Sequence, residues 1–133
     1  SRRGVFFSLT GFSYGYSYFV VGGGFCLFYT SSDGTSWTSR NSGTSQRFYG
    51  ISYGGSTFVA VGPSGTIHTS SDGTSWTSRS SGTSSSLNGV TFGYDLFVTI
   101  GDTGTILTSS DGISWTSRTS GTSKTLRSVT FSE

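Results

Sequence analysis

The string SSDGTSWTSR occupies residues 31–40 and again 70–79, and it returns as SSDGISWTSR at 109–118. Trp37, Trp76 and Trp115 therefore stand 39 residues apart, as do Asp33, Asp72 and Asp111, and Gly34, Gly73 and Gly112. The register extends outward from these loops: Phe19, Phe58 and Phe97 match, and so do Gly23, Gly62 and Gly101. Residues 48–86 and 87–125 agree at 22 of 39 positions without a gap, and 9–47 form a more divergent first copy. LRSVTF at 126–131 repeats the opening of a unit, seen as FYGISY at 48–53 and LNGVTF at 87–92. The 133 residues thus read as one repeat domain of three units, 9–47, 48–86 and 87–125, plus the first strand of a fourth.

Each unit reads as four short strands. GISYG (50–54) and GVTFG (89–93) alternate apolar and polar residues, as a half-buried strand requires. FVAVG (58–62) and FVTIG (97–101) are near-continuous apolar runs, suited to a strand covered on both faces. Gly62-Pro63-Ser64-Gly65 and Gly101-Asp102-Thr103-Gly104 carry turn chemistry, with glycine available for positive φ. TIHTS (66–70) and TILTS (105–109) are third strands, and the Asp-Gly pair turns the chain into a fourth, SWTSR. No stretch sustains a helical period. Four antiparallel strands in about 40 residues is the size of a β-propeller blade. The alternative all-β fold is the β-trefoil, which also uses three four-stranded units and closes with three copies, whereas propellers use four to eight blades.

Composition narrows the function classes. Serine, threonine and glycine supply 72 residues, charged residues only 11%, and aromatics 16%. The 21 aromatic side chains exclude a disordered chain. A single cysteine excludes an internal disulfide framework. A formal charge of +2 gives no electrostatic argument for nucleic acid, and no apolar run approaches the roughly 18 residues of a membrane-inserted helix. One cysteine and few charges fit a bacterial secreted or cell-surface protein and leave the cytosol open.

The thrice-repeated Ser-Ser-Asp-Gly-x-Ser-Trp resembles the Asp-box, or BNR, repeat of sialidases and photosystem II assembly-factor-like proteins, in a variant with adjacent Asp-Gly. More closely, the unit is similar to long tandem-repeat β-propeller proteins of bacteria. The resemblance spans residues 9–131 and implies a propeller with the box between third and fourth strands. Elementary chemistry agrees: each box aspartate can accept hydrogen bonds from its own turn, and each tryptophan can fill space between neighbouring sheets. Arg40, Arg79 and Arg118 follow three residues later, placed to cover apolar surface or to bridge to the next blade.

Catalysis finds no support. The sialidase resemblance would require an arginine triad, a tyrosine–glutamate pair and an aspartic acid, yet the only glutamate is Glu133. No carboxylate pair is available for glycoside hydrolysis, no His/Cys/Asp/Glu cluster for a metal, and no phosphate loop for a nucleotide cofactor. His68, matched by Tyr29 and Leu107, reads as a packed strand residue, and Cys26, among Phe25, Leu27 and Phe28, as a buried thiol. What remains is a non-enzymatic binding or scaffold module for a protein or glycan ligand. A carbohydrate-binding lectin with sites between blades, offering tyrosines such as Tyr14, Tyr16, Tyr18, Tyr53 and Tyr94, is the competing reading. Candidate ligand residues lie on the face opposite the boxes, where copies differ: Arg47, Lys124, and the inner-strand starts Tyr49, Asn88 and Arg127. Three blades leave open sheet faces, so a homodimer completing one six-bladed ring is expected, with 126–131 competing with the partner's 9–14 for one innermost position. The chain equally reads as part of a longer repeat array.

Overall fold

Alternation along the second strand of each unit organises the core. In TFVAV (Thr57–Val61), Phe58 and Ala60 point to one side and Val59 and Val61 to the other, and all four are buried. One set packs with residues of the preceding unit, the other with residues of the following one. A sheet buried on both faces must be sandwiched between neighbours, and this requirement makes the units stack.

The computed structural model describes residues 19–22, 27–41 and 47–132. The first sheet holds β1 (Phe19–Gly22), β2 (Leu27–Ser31) and β3 (Thr38–Asn41). The second holds β4 (Gly50–Gly54), β5 (Thr57–Val61), β6 (Ile67–Ser70) and β7 (Thr77–Arg79). The third holds β8 (Leu87–Gly93), β9 (Leu96–Gly101), β10 (Ile106–Ser109) and β11 (Thr116–Arg118). Every ladder is antiparallel and joins consecutive strands of one unit. The units of a trefoil would have to share ladders in a common barrel, so the trefoil alternative is not supported. The first strand expected at 9–14, together with Tyr14, Tyr16, Tyr18, Phe25 and Cys26, lies outside the described residues.

Two apolar clusters fill the gaps between sheets. Val20 and Phe28 of the first sheet meet Phe48, Ile51, Phe58 and Ala60 of the second, with Trp76 against them. Val59, Val61 and Ile67 of the second meet Leu87, Val90, Phe97 and Leu107 of the third, with Phe92 and Trp115 against them. The Trp76 indole lies on the Phe28 ring at a centroid distance of 4.0 Å and an interplanar angle of 8°. Inner strands approach closely because glycine meets glycine: a Cβ on Gly50 would sit 3.0 Å from the Gly89 Cα.

The structure departs from the sequence expectations in three local ways. The fourth strand begins at Thr77, not at Ser75, because 71–75 wrap around the Asp72 carboxylate. β8 starts at Leu87, two residues early, with a bulge between Leu87 and Gly89. The 126–131 segment joins no ladder, but it docks as a unit's opening does. The Leu126 N–H donates to the Gly101 carbonyl at 3.0 Å, as Leu87 does to Gly62 at 2.9 Å. The Phe131 ring occupies the space over Gly93 as Phe92 does over Gly54, where any Cβ would overlap the ring.

The Phe28–Trp76 stack gives a direct test of sheet-to-sheet cohesion. Phe28→Ala and Trp76→Ala should each cost about 3–5 kcal/mol. The double variant should cost about 0.5–1.5 kcal/mol less than the sum, as measured by urea unfolding. Strict additivity would show that the stack contributes nothing beyond buried area.

Candidate functional site

The three Ser-Ser-Asp-Gly-x-Ser segments share one set of aspartate and serine hydrogen bonds. Asp72 Oδ1 accepts from the N–H groups of Thr74 (2.8 Å) and Ser75 (2.9 Å) and from the Ser70 hydroxyl (3.0 Å). The Ser70 Oγ in turn accepts from the Asp72 and Gly73 N–H groups. Asp33 with Ser31, and Asp111 with Ser109, repeat this set. These donors favour the carboxylate and hold all three aspartates below their ordinary value of 3.8, the backbone N–H groups of Ser36, Ser75 and Ser114 contributing most. Gly34, Gly73 and Gly112 sit at φ near +78°, +76° and +79°, a conformation that favours glycine. In the second and third loops the glycine carbonyl accepts from the following indole: Trp76 Nε1–H donates to Gly73 at 3.2 Å, and Trp115 Nε1–H to Gly112 at 2.9 Å. With one oxygen taking three bonds, each loop positions its tryptophan.

The arginines after the tryptophans act within their own sheet. Arg79 Nε donates to Thr69 Oγ1 and Arg118 Nε to Thr108 Oγ1, both at 2.9 Å, and Arg40 Nε donates to Thr30 Oγ1 at 3.2 Å. Each therefore ties the fourth strand to the third. Of the two expected roles, a bridge to the next blade gives way to a bond within the sheet, to the threonine diagonal to the arginine's own ladder partner (Thr69, where Arg79 pairs with Ile67).

The opposite face gathers the unit connections and the second-to-third-strand turns. Ser64 N–H donates to Ser86 Oγ at 3.4 Å, and Asp102 N–H donates to the Ser86 carbonyl at 2.9 Å. Gly62 is extended, with φ −164°, so its role is not positive φ: the Arg47 carbonyl lies where a Cβ would stand. The left-handed turn positions are Ser64 (φ 57°) and Gly65 (φ 73°), and in the next copy Thr103 (φ 55°) and Gly104 (φ 70°). Ser64 and Thr103 are non-glycine residues at positive φ, as are Ser56, Tyr94 and Asp95 in the first-to-second-strand turns of the other face. Of the candidate ligand residues, Arg47 is exposed at the first unit junction, Lys124 and Arg127 are exposed at the third, and Tyr49 and Asn88 are half-buried. Asn88 is engaged: its Nδ2 donates to the Leu126 carbonyl (2.9 Å) and to Asp102 Oδ1 (3.2 Å). Asn88 is the residue at the bulge, and its bonds bring in Asp102, which the sequence placed only in a turn. Its position fourteen residues after Asn88 gives no sequence signal of the contact.

His68 is 7% exposed, edge-on to Phe48 at 5.3 Å, and its Nδ1 has no hydrogen-bond partner. Burial lowers its pKa below the ordinary 6.5 and keeps the ring neutral. Among the described residues, no three His, Cys, Asp or Glu side chains converge to hold a metal ion. Three open concavities of about 690, 330 and 290 Å³ are lined by serine, threonine, glycine and arginine, with His68, Ile67, Asp111 and Ile113 as the other types. Among the described residues, none of the three is lined by Phe, Tyr or Trp.

No family model matches the chain, and no curated protein does. Among solved structures, YCF48 from Cyanidioschyzon merolae is 22% identical and superposes with a TM-score of 0.72, over 91% of this chain and 42% of that one. YCF48 bound to D1 peptide is 19% identical with a TM-score of 0.66, over 86% of this chain and 40% of that one. The chain spans about two fifths of the length of these proteins. Together with three stacked antiparallel meanders, these likenesses make the fold a β-propeller arrangement.

Two acid limbs of stability follow. Between its lowered folded pKa and the ordinary 6.5, His68 binds more protons when unfolded, so stability falls as pH drops through that window. The loop aspartates contribute stability above 3.8 that is lost as pH falls through their lowered values. His68→Leu, which installs the residue of the third copy, should abolish the fall in Tm that sets in as pH drops through the ordinary histidine value of 6.5, while leaving the more acidic limb. Asp72→Ala should cost about 1–2 kcal/mol at neutral pH by freeing two backbone N–H groups and a hydroxyl, as measured by urea unfolding.

Proposed function

We propose that this chain is a non-enzymatic binding or assembly module whose ligand is an extended protein segment lying across the connection face. The observation that carries this reading is the difference between the two faces. The Asp-Gly loops repeat one set of aspartate and serine hydrogen bonds, whereas the opposite face changes residue from copy to copy while keeping its backbone frame. In this reading the repeated loops are Asp-boxes with a structural role, and Arg47, Tyr49, Asn88, Lys124 and Arg127 contact the ligand. Three exposed cations stand on that face, whereas Asp102 already accepts from Asn88, so an acidic segment suits it best. The likeness to YCF48 bound to D1 peptide supports a propeller of this shape accepting a peptide. The lectin alternative is weaker, since among the described residues no Phe, Tyr or Trp lines the three concavities. The module works as a homodimer in which two chains form one six-bladed ring, without metal or cofactor.

The test uses a short labelled poly-glutamate peptide and fluorescence anisotropy. Binding should weaken with added salt and be lost in an Arg47→Glu, Lys124→Glu, Arg127→Glu variant, whereas Asp72→Asn retains it. Unchanged binding by the triple variant, or competable sugar binding without peptide binding on an array, would overturn the reading.

A further inference from the structure

The chain shows twice how an open sheet face is covered, and it presents one more such face. Val59 and Ile67 of the second sheet are fully buried by the third unit, whose Gly112 loop comes within 3.1 Å of Val59 Cγ2, measured from a Cβ built on that glycine. Trp115 packs into the same cluster. The matching residues of the third sheet, Val98 and Ile106, and Leu96 beside them are only half-buried, and among the described residues no further sheet lies on them. At the other end Trp37 is 40% exposed, whereas Trp76 and Trp115 are half-buried against the preceding sheet. Its indole N–H has no hydrogen-bond partner among the described residues, unlike those of Trp76 and Trp115. Tyr29, which matches the buried His68 and Leu107, is also only half-buried.

We propose that the Leu96–Val98–Ile106 face receives the Trp37 loop of a second copy, reproducing between chains the contact that Trp115 makes within one. The inference rests on the homodimer reading and adds its two surfaces. The occupant is another copy because the surface such a face fits is on the page: a repeat unit with its Asp-Gly loop and tryptophan, exposed only on the first sheet. Segment 126–131 already holds the inner position beside this face through Leu126 and Phe131, so β1, β2 and β3 of the incoming copy are the strands that complete that blade. The contact is head-to-tail. Each chain carries one of each surface, so two chains make two equal contacts and close a ring of six sheets.

The test combines mass and cross-linking on the full chain. Light scattering should give twice the 14.0 kDa chain mass, independent of concentration at high concentration. Trp37→Ala should weaken dimerisation about a hundredfold, with Val98→Lys as the second variant on the opposing surface. In a Cys26→Ser background, Thr35→Cys chains mixed with Leu96→Cys chains should join through a short thiol cross-linker, and neither should join to itself. Thr35 and Leu96 match Ile113 and Thr57, which line one groove between the second and third sheets. A monomeric mass overturns both the homodimer and this interface. A dimeric mass with no mixed cross-link, or with dimerisation unmoved by both variants, overturns the interface and leaves the homodimer standing. A mass that climbs without limit as concentration rises overturns the closed ring.

Discussion

The Trp76 ring lying flat on Phe28 is the interaction on which the rest of this structure depends. A four-stranded sheet with apolar side chains on both faces has no stable exposed form, because each face leaves several large side chains in water. The chain solves this by sending one tryptophan per unit back onto the preceding sheet. Phe28, Phe48, Phe58 and Trp76 then close one gap, and the Val59–Phe97–Trp115 group closes the next. Stacking therefore proceeds unit by unit in chain order, and each contact has a donor face and an acceptor face. That polarity leaves Trp37 at one end and Val98 at the other without an equivalent partner among the described residues.

Positioning the tryptophan is the work of the Asp-Gly loop. A carboxylate oxygen taking two backbone N–H groups and a hydroxyl holds the turn, a glycine at positive φ re-aims the chain, and its carbonyl receives the indole N–H. The same bonds explain why these aspartates are poor candidates for chemistry: their acceptor capacity faces their own turn, and their lowered pKa values keep them ionised rather than proton-donating. The repeated residues thus serve the frame. Variation falls on the opposite face, where connections cross exposed turns and backbone groups such as the Gly62, Ser86 and Gly101 carbonyls hold the frame.

Much of this was legible in the residues. The 39-residue spacing of Trp37, Trp76 and Trp115, and the alternation in FVAVG, are local patterns with direct geometric meaning, so strand order and blade-like units follow from them. Contacts between units were harder to read. Gly62 looked like a turn glycine, yet its requirement is space for the Arg47 carbonyl. The arginines looked free to reach the next sheet, but each bonds a threonine within its own sheet. The sequence marked Asn88 as a candidate ligand residue but gave no sign of the bonds its amide makes to Asp102 and the Leu126 carbonyl.

The difference has one physical source. Periodicity, turn chemistry and the Asp-Gly loop concern residues within a few positions of one another, so the chain alone specifies the strands, the loops and the polarity of stacking. Whether a side chain ends at a bond, a gap or an open face depends on which sheet arrives opposite it, and sequence distance does not encode that approach. His68 buried against Phe48 and Val98 left uncovered were assigned by packing, although each has a counterpart of similar local context in another copy.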